Sequence, residues 1–301
     1  MRNKLTDELA VCGMNAVLAV SEHHPQTVNR LFLREDRLQS FTGICKQLAE
    51  RKRPYKICED EELERICKSV HHQGVVAMIE EPVVEPLSME DLDLWADEGR
   101  TGVILHSVGN DHNLGAIARA AAFFDVTYIV LNEKDKSLKQ QPDFRADVFR
   151  FDNFRVENSD NAAPVIDNEL RLTTSAYRVA EGAFEYLKVR SIRSTSAFLK
   201  DASRRLVTIG TDTRARMRIG DLKSIVSSHA PVSGQTCSKI NFNKTGRRPG
   251  IALILGNEEF GLPKDVKDKC SCLLRVPGTG NIDSLNVSQA AALFLHAIFE
   301  M

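Results

Sequence analysis

Residues 275–300 read RVPGTGNIDSLNVSQAAALFLHAIFE, a glycine-containing turn set between a short apolar run and an alanine-rich segment. The apolar run predicts the end of a buried strand, and the segment from 287 to 299 predicts a helix. Glycine at 278 and 280 permits backbone angles closed to other residues and lets a ligand approach the main chain. The turn is therefore either a ligand-binding loop or a simple connection between a strand and a helix. Other segments of the chain decide between these two interpretations.

Length and composition describe an ordinary globular protein. The chain has 301 residues, enough for two domains, and its 43% hydrophobic and 27% charged residues are typical of a globular fold. The apolar run 290–299 is too short to cross a bilayer, and the N-terminus MRNKLTDELA lacks an apolar signal-peptide core. We therefore expect a cytoplasmic protein with no membrane partner. The seven scattered cysteines form no CxxC pair, which predicts reduced, mostly buried thiols.

Two units are predicted on either side of an acidic, proline-containing segment. Residues 1–80 alternate short apolar runs with helical patterns, which indicates a small α/β domain. Residues 81–98 predict a linker that leads into one or two turns of amphipathic helix. Residues 99–301 form the second predicted domain, in which two polar, turn-rich stretches near 133–176 and 228–249 indicate insertions.

The second unit alternates apolar strands with helix-like segments. The predicted strands are 103–108, 127–131, 206–210, 251–255 and 272–276. Such alternation predicts a mainly parallel sheet covered by helices, with ligands at the carboxyl ends of its strands.

Three segments follow strands of this predicted sheet. HSVGNDHNLGAIARAAAFF, at 106–124, places Asn113 as the predicted N-cap of a helix on which Arg119 is the lone arginine. That arginine is either functional or a side chain reaching solvent from the helix edge. LILGNEEFGLP, at 253–263, takes a buried strand into Gly256 and Glu258, which favours either a site or a simple turn with a solvated acid. The third segment is the 275–300 stretch.

Together these segments resemble a known family. NLGAIAR at 113–119, LGNEEFGLP at 255–263 and RVPGTGNIDSLNVSQAA at 275–291 resemble the three signature motifs of the SpoU (TrmH-like) class of SPOUT RNA 2′-O-ribose methyltransferases. AEGAFEYLKV at 180–189 is similar to the central Gly-Ala element of that class. CGMNAVLAV at 12–20 and HHQGVVAMI at 71–79 resemble the L30e-like RNA-binding domain that precedes many of its catalytic domains. The Gly-Thr-Gly-Asn loop is shared with the YfiF-type branch of tRNA/rRNA methyltransferases.

The resemblance implies a fold and a reaction. The fold is α/β, a SPOUT domain with a parallel sheet and a C-terminal trefoil knot, preceded by a small L30e-like α/β domain. The reaction is transfer of a methyl group from S-adenosylmethionine to a ribose 2′-hydroxyl of tRNA or rRNA. The resemblance also implies a homodimer. No metal is required, and the histidine pairs at 23–24 and 71–72 lack further ligands nearby, which favours structural or RNA-facing roles.

The resemblance also assigns roles to individual residues. Arginine is a poor general base, so we expect Arg119 to clamp an RNA phosphate and stabilise the developing 2′-alkoxide. The residues expected to orient Arg119 and the ribose are Asn113, Glu258, Ser284 and Asn286. The residues whose main chain is expected to hold the adenine and ribose of S-adenosylmethionine are Gly256, Val276 and Leu285.

Several features keep a second hypothesis open, an RNA-binding SPOUT module without turnover. The class usually has Asp-Pro where this chain has Asn110 and Asp111, and glycine where it has Asp125.

Residues 188–218 carry nine Lys and Arg against two Asp, a cluster that by itself is typical of a solvated surface. Given the resemblance, we expect this segment and the N-terminal domain to bind RNA.

Overall fold

The computed structural model describes residues 2–3, 8–132, 172–227 and 248–301, which form two β-sheets with their helices. Nearly all of the insertions predicted near 133–176 and 228–249 lies outside the described residues. Within the described part of the chain, every helix is too short or too polar to cross a membrane.

The first sheet has five strands in the order β1-β2-β5-β3-β4. The strands are β1 (Arg2–Asn3), β2 (Glu8–Cys12), β3 (Val28–Leu33), β4 (Tyr55–Ile57) and β5 (Val75–Glu80). The helices are α1 (Met14–His23), α2 (Thr42–Glu50) and α3 (Asp60–Cys67), with 3-10 helices Pro25–Thr27 and Glu35–Phe41. Alternate residues of β5 belong to different cores, Val75, Ala77 and Ile79 to one and Val76 and Met78 to the other, as the period of a strand requires. Both faces of this small sheet are therefore covered.

The second sheet has eight strands in the order β11-β13-β10-β12-β7-β8-β9-β6. The strands are β6 (Glu85–Pro86), β7 (Thr101–Leu105), β8 (Tyr128–Asn132), β9 (Lys188–Ile192), β10 (Val207–Thr211), β11 (Met217–Arg218), β12 (Ile251–Leu255) and β13 (Cys272–Arg275). The helices are α4 (Met89–Asp97), α5 (Asp111–Phe123), α6 (Thr174–Ala180), α7 (Thr195–Ala202), α8 (Leu222–Ser227), α9 (Lys264–Lys267) and α10 (Val287–Phe299), with 3-10 helices Ala183–Tyr186 and Ile219–Asp221. All its strand pairs are parallel, which confirms the predicted α/β fold with a parallel sheet.

Helices cover both faces of the second sheet, because its central strands are apolar on both sides. Val103 and Leu253 belong to the core beneath α5 and α10, whereas Ile104 and Ile254 belong to the core beneath α4 and α7. The predicted helix α10, residues 287–299, is confirmed at both ends.

The segment predicted as a linker, 81–98, contributes to this second sheet. Its first half supplies the short edge strand β6, and its second half is helix α4, whose N-terminus is closed by a capping box between Ser88 and Asp91. Trp95 is fully buried, stacks on Tyr128 at 4.9 Å and donates its indole N–H to the Ile251 carbonyl at 3.0 Å. Because that indole fills the second core, helix α4 is part of the folded unit.

Strand β9 is absent from the sequence prediction. Its five residues pair in parallel with β8, and Ser191 and Ile192 are buried. Lys188 and Arg190 lie at its start and middle. Because of these two charges, the sequence pattern of the segment is typical of a solvated surface. The basic stretch 188–218 is therefore not one solvated face, since part of it is a strand inside the sheet.

Candidate active site

The three motif segments meet at the carboxyl edge of the parallel sheet. Strand β12 pairs with β7 on one side and with β10 on the other, and β10 pairs with β13. The loops that leave β7, β12 and β13 therefore emerge at the same edge, where parallel α/β sheets bind their ligands.

Helix α5 begins three residues earlier than predicted. Asn110, and not Asn113, is the N-cap, and its side chain accepts a hydrogen bond from the His112 N–H at 2.8 Å. The prediction of Asn113 as the cap is therefore wrong. Asn113 lies in the first turn with its side chain buried, which leaves its amide available for tertiary contacts.

The Asn113 amide joins the other two motif loops. Its Nδ2 donates to Glu258 Oε1 at 2.8 Å, and its Oδ1 accepts from Asn286 Nδ2 at 3.1 Å. The two partners are 145 and 173 residues away in sequence. Three of the five predicted catalytic residues are therefore linked in one chain of hydrogen bonds, which we call the Asn286–Asn113–Glu258 chain.

Asn286 has a second task at the start of the last helix. Its Oδ1 accepts from the Ser288 N–H at 2.8 Å and caps α10, while its Nδ2 serves Asn113. The side chain of Asn286 therefore fixes the position of the first turn of α10 relative to α5. The loop 277–286 that precedes it is exposed throughout.

Asn257 is a positioning residue that the sequence analysis did not select. Its Nδ2 donates to the Ser107 carbonyl at 2.9 Å, and its Oδ1 accepts from the N–H groups of Glu259 and Phe260 at 2.9 and 3.1 Å. Ser107 has a φ of 56°, an unfavourable angle for a residue with a side chain. Asn257 thus ties the loop after β7 to the loop after β12. The only sequence signal for it is that asparagine commonly forms such local turns.

Arg119 and Ser284 lie outside the Asn286–Asn113–Glu258 chain. The Arg119 side chain is 60% exposed, and its Nη1 lies 2.7 Å from Glu181 Oε1. The other carboxylate oxygen of Glu181 accepts from Asn15 Nδ2 at 3.0 Å, so a residue of α1 completes this contact. Ser284 is exposed and has no hydrogen bond with the described residues.

The predicted cofactor residues lie at or near the same carboxyl edge. Gly256 is buried where β12 ends, and a Cβ there would lie 2.4 Å from the Gly261 carbonyl carbon, so the turn admits no side chain. Val276 is half-buried directly after β13, and Leu285 is exposed just before α10. The same loops expose Phe260 and Ile282, which are 73% and 81% accessible.

These groups suit an uncharged nucleoside. Main-chain amides and carbonyls at strand ends, together with exposed apolar side chains, can hold an adenine and a ribose without a phosphate-binding glycine loop. The described residues contain no group of three His, Cys, Asp or Glu able to hold a metal ion.

Two family models match the chain. The SpoU rRNA Methylase family matches residues 146–296, and RNA 2′-O ribose methyltransferase substrate binding matches residues 10–83. The first range begins after the NLGAIAR segment at 113–119. That segment is assigned to the site by the hydrogen bonds of Asn113 with Glu258 and Asn286.

Individual relatives match over most of this chain. The 23S rRNA (guanosine-2′-O-)-methyltransferase RlmB of Bordetella pertussis is 25% identical over 293 residues, covering 95% of this chain and 94% of that protein. The uncharacterized tRNA/rRNA methyltransferase YfiF of Escherichia coli O157:H7 is 21% identical, covering 98% of this chain and 69% of that protein. The second match agrees with the resemblance to the YfiF-type branch.

Solved structures share the fold. The SpoU methyltransferase AviRb from Streptomyces viridochromogenes, in complex with the cofactor AdoMet, superposes with a TM-score of 0.64 at 17% identity, covering all of this chain and 93% of that one. The AdoMet-bound rRNA methyltransferase from Sinorhizobium meliloti gives a TM-score of 0.63 at 17% identity, covering 97% of this chain and 87% of that one. The fold agrees with the sequence match, which extends over just over half of the 301 residues, and the protein therefore belongs to the SpoU rRNA methylase family.

Proposed function

We propose that this protein transfers a methyl group from S-adenosylmethionine to a ribose 2′-hydroxyl of ribosomal or transfer RNA. The observation that carries the proposal is the Asn286–Asn113–Glu258 chain, which joins the three motif loops at the carboxyl edge of the sheet. The related RlmB of Bordetella pertussis, named as a 23S rRNA (guanosine-2′-O-)-methyltransferase, supports this reaction class and favours rRNA.

The five proposed catalytic residues divide between positioning and charge stabilisation. Asn113 fixes the carboxylate of Glu258, and Ser284 and Asn286 complete the polar wall that orients the ribose. Arg119 presents a planar, permanently charged guanidinium, which clamps an RNA phosphate and stabilises the alkoxide that develops as the 2′-hydroxyl loses its proton. Alignment of the hydroxyl with the methyl group supplies a further part of the rate.

The main chain at the ends of β12 and β13 holds the cofactor. Gly256, Val276 and Leu285 would contact the adenine and ribose of S-adenosylmethionine, as the resemblance implies. When bound, this cofactor supplies a methyl group made electrophilic by the adjacent sulfonium. Exposed apolar side chains of the loops, such as Ile282, would exclude water from that contact.

The proposed organisation assigns RNA binding to residues 1–80 and methyl transfer to residues 99–301, with 81–98 between them. The match of residues 10–83 to a substrate-binding family model supports the first assignment. The non-sequential order of β13, β10, β12 and β7 in the sheet is compatible with the C-terminal trefoil knot of the class, which we include in the proposal. The protein would act on its RNA in the cytoplasm.

We expect tritium from labelled S-adenosylmethionine to enter bulk rRNA or tRNA when the purified protein is present. Incorporated label should survive alkali within a dinucleotide, because a methylated 2′-oxygen cannot attack the neighbouring phosphate. Label released on a base would contradict the ribose assignment. Calorimetric binding of S-adenosylmethionine without incorporation into either RNA pool would instead favour an RNA-binding module without turnover.

We also propose a homodimer, because helices α5 and α10 leave an aromatic surface exposed. Phe123 is 77% and Phe299 54% exposed, and the ring of Phe124 lies 5.0 and 5.9 Å from theirs. Leu293 of α10 is also exposed. An apolar patch of this kind is typical of a subunit interface.

Light scattering at micromolar concentration should therefore give about twice the 33.6 kDa mass of one chain. Phe123→Asp should shift the mass toward the monomer because it places a charge in the patch. Val83→Asp is the control, since Val83 is 84% exposed outside this surface. A monomeric wild type would contradict the proposal.

A further inference from the structure

The two units are packed tightly against each other along residues 178–186. Val17 and Val20 of α1 belong to the same core as Ala183 and Phe184. At Gly182, whose φ is 90°, a Cβ would lie 2.6 Å from the Cβ of Ala19, so α1 rests directly on the main chain of the second unit. The relative placement of the two units is therefore set by a packed contact.

Polar contacts line the same boundary. Arg178 Nη1 donates to Ser69 Oγ at 2.9 Å, and Asn15 Nδ2 donates to Glu181 Oε2 at 3.0 Å. Further along, the His24 ring pairs closely with the Glu185 carboxylate. Arg178 lies on α6, Glu181 is the residue that ends α6, and Glu185 lies on the 3-10 helix that follows, so each contact joins the first unit to this segment of the second.

A cleft of about 310 Å³ opens beside this boundary. The second unit contributes Arg119, Arg178 and Glu181 to its walls, and the first unit contributes Asn15, His71 and Gln73. Gln73 accepts the Met14 N–H through Oε1 at 2.8 Å, which leaves its NH₂ group able to donate into the cleft. The walls thus supply mainly hydrogen-bond donors.

The charges in the cleft are not balanced. Arg119 is neutralised by Glu181 at 2.7 Å. Arg178 is half-buried and, among the described residues, is bonded only to the neutral hydroxyl of Ser69, with no carboxylate partner. A guanidinium in this state keeps most of its five donors and its full charge for a ligand.

We propose that this cleft is a subsite for a phosphodiester of the substrate RNA, with Arg178 as its main ligand. The inference rests on the proposed function, which makes RNA the substrate. Arginine recognises a phosphate through two parallel N–H···O bonds, and Gln73 adds a neutral donor from the opposite wall. Because Arg119 belongs to the same cleft, a strand bound by Arg178 passes the arginine assigned to the target ribose. The RNA-binding unit and the methyltransferase unit therefore each build one wall of the subsite.

The test measures RNA binding without S-adenosylmethionine, using fluorescently labelled bulk tRNA and 23S rRNA fragments over a range of salt concentrations. Arg178→Gln should weaken binding by about tenfold or more, the usual effect of losing a hydrogen bond to a charged group. The slope of log affinity against log salt should fall by about 0.7 to 0.9, the value for one phosphate contact. Arg178→Lys should keep that slope while losing part of the affinity, because an ammonium retains the charge without the planar fork.

Two controls separate a phosphate contact from a structural effect. Ser69→Ala removes the bond across the boundary but leaves the Arg178 charge, so affinity and slope should stay at the wild-type values. Arg100→Gln makes the same charge change just before β7, at the amino edge of the second sheet and away from the cleft, where the exposed Arg100 pairs with Glu98 at 2.8 Å, and should leave the slope unchanged.

A further variant tests whether removing a negative charge from the cleft raises the affinity for RNA. Glu181→Gln removes the one carboxylate that the described residues contribute to the cleft, so RNA should bind about two- to fivefold more tightly, in keeping with the modest size of an exposed charge interaction. Wild-type affinity and slope for Arg178→Gln, or an equal loss of affinity in Ser69→Ala, would overturn the subsite. A wild-type protein that neither binds nor methylates any RNA would overturn the proposed function itself, whereas an active wild type with an unaffected Arg178→Gln would overturn the subsite alone.

Discussion

Arg119→Ala is expected to lower methyl transfer by about 10²- to 10³-fold, the usual effect of removing one group that stabilises charge in a transition state. The side chain is 60% exposed and its ion pair is with Glu181, the residue that ends α6, so the fold should survive the truncation. S-adenosylmethionine should bind as before, because its proposed contacts are main-chain groups at Gly256, Val276 and Leu285. Tritium incorporation into RNA measures the rate, and calorimetry measures the cofactor.

The matching variants identify what the arginine does. Arg119→Lys should restore little activity, since an ammonium cannot offer two parallel donors to a phosphate or an alkoxide. Arg100→Ala removes an exposed arginine just before β7, at the edge of the sheet opposite the site, and should leave the rate unchanged. Equal incorporation by the wild type and Arg119→Ala would show that the guanidinium takes no part in the reaction.

The sequence predicts those elements whose local signals agree with their tertiary surroundings. The sequence predicts helix α10 to the residue because its apolar pattern starts directly after Asn286, a residue that does cap it. The sequence likewise predicts the strand 251–255 in full, since it is buried on both faces and bounded by glycines. Asp125 takes the left-handed conformation, φ 54°, just after helix α5, at a position where the class usually has glycine.

Other features depend on contacts that no local pattern records. Asn110 and Asn113 are both suitable caps in sequence, and only the positions of Glu258 and Asn286 show that Asn113 serves a different purpose. The sequence analysis does not predict strand β9, because the charges of Lys188 and Arg190 interrupt its apolar pattern. Pairing with β8 stabilises this strand in the sheet. The pairing of Arg119 with Glu181 was also beyond sequence reasoning, since Glu181 lies in a segment selected only for its Gly-Ala pair.

Gly256→Ala is expected to lower the affinity for S-adenosylmethionine by at least about tenfold and methyl transfer with it. A Cβ at this position would lie 2.4 Å from the carbonyl carbon of Gly261 and 2.6 Å from the amide nitrogen of Leu262. Both are backbone atoms, so the turn must open to relieve the overlap. Opening it disrupts the pair of hydrogen bonds between Asn257 and Gly261, at 2.9 and 3.2 Å.

That displacement would reach the site through Asn257, which holds the loop after β7, and through Glu258, which Asn113 binds. Overpacking of this kind destabilises a fold by about 1 to 3 kcal/mol, so thermal denaturation should show a lower midpoint as well. Gly43→Ala is the matched control, because nothing lies within 4 Å of a Cβ there and alanine favours helix α2. If Gly256→Ala bound S-adenosylmethionine like the wild type although its midpoint fell, the turn after β12 would be a structural element only, and the cofactor wall would have to be sought at Val276 and Leu285.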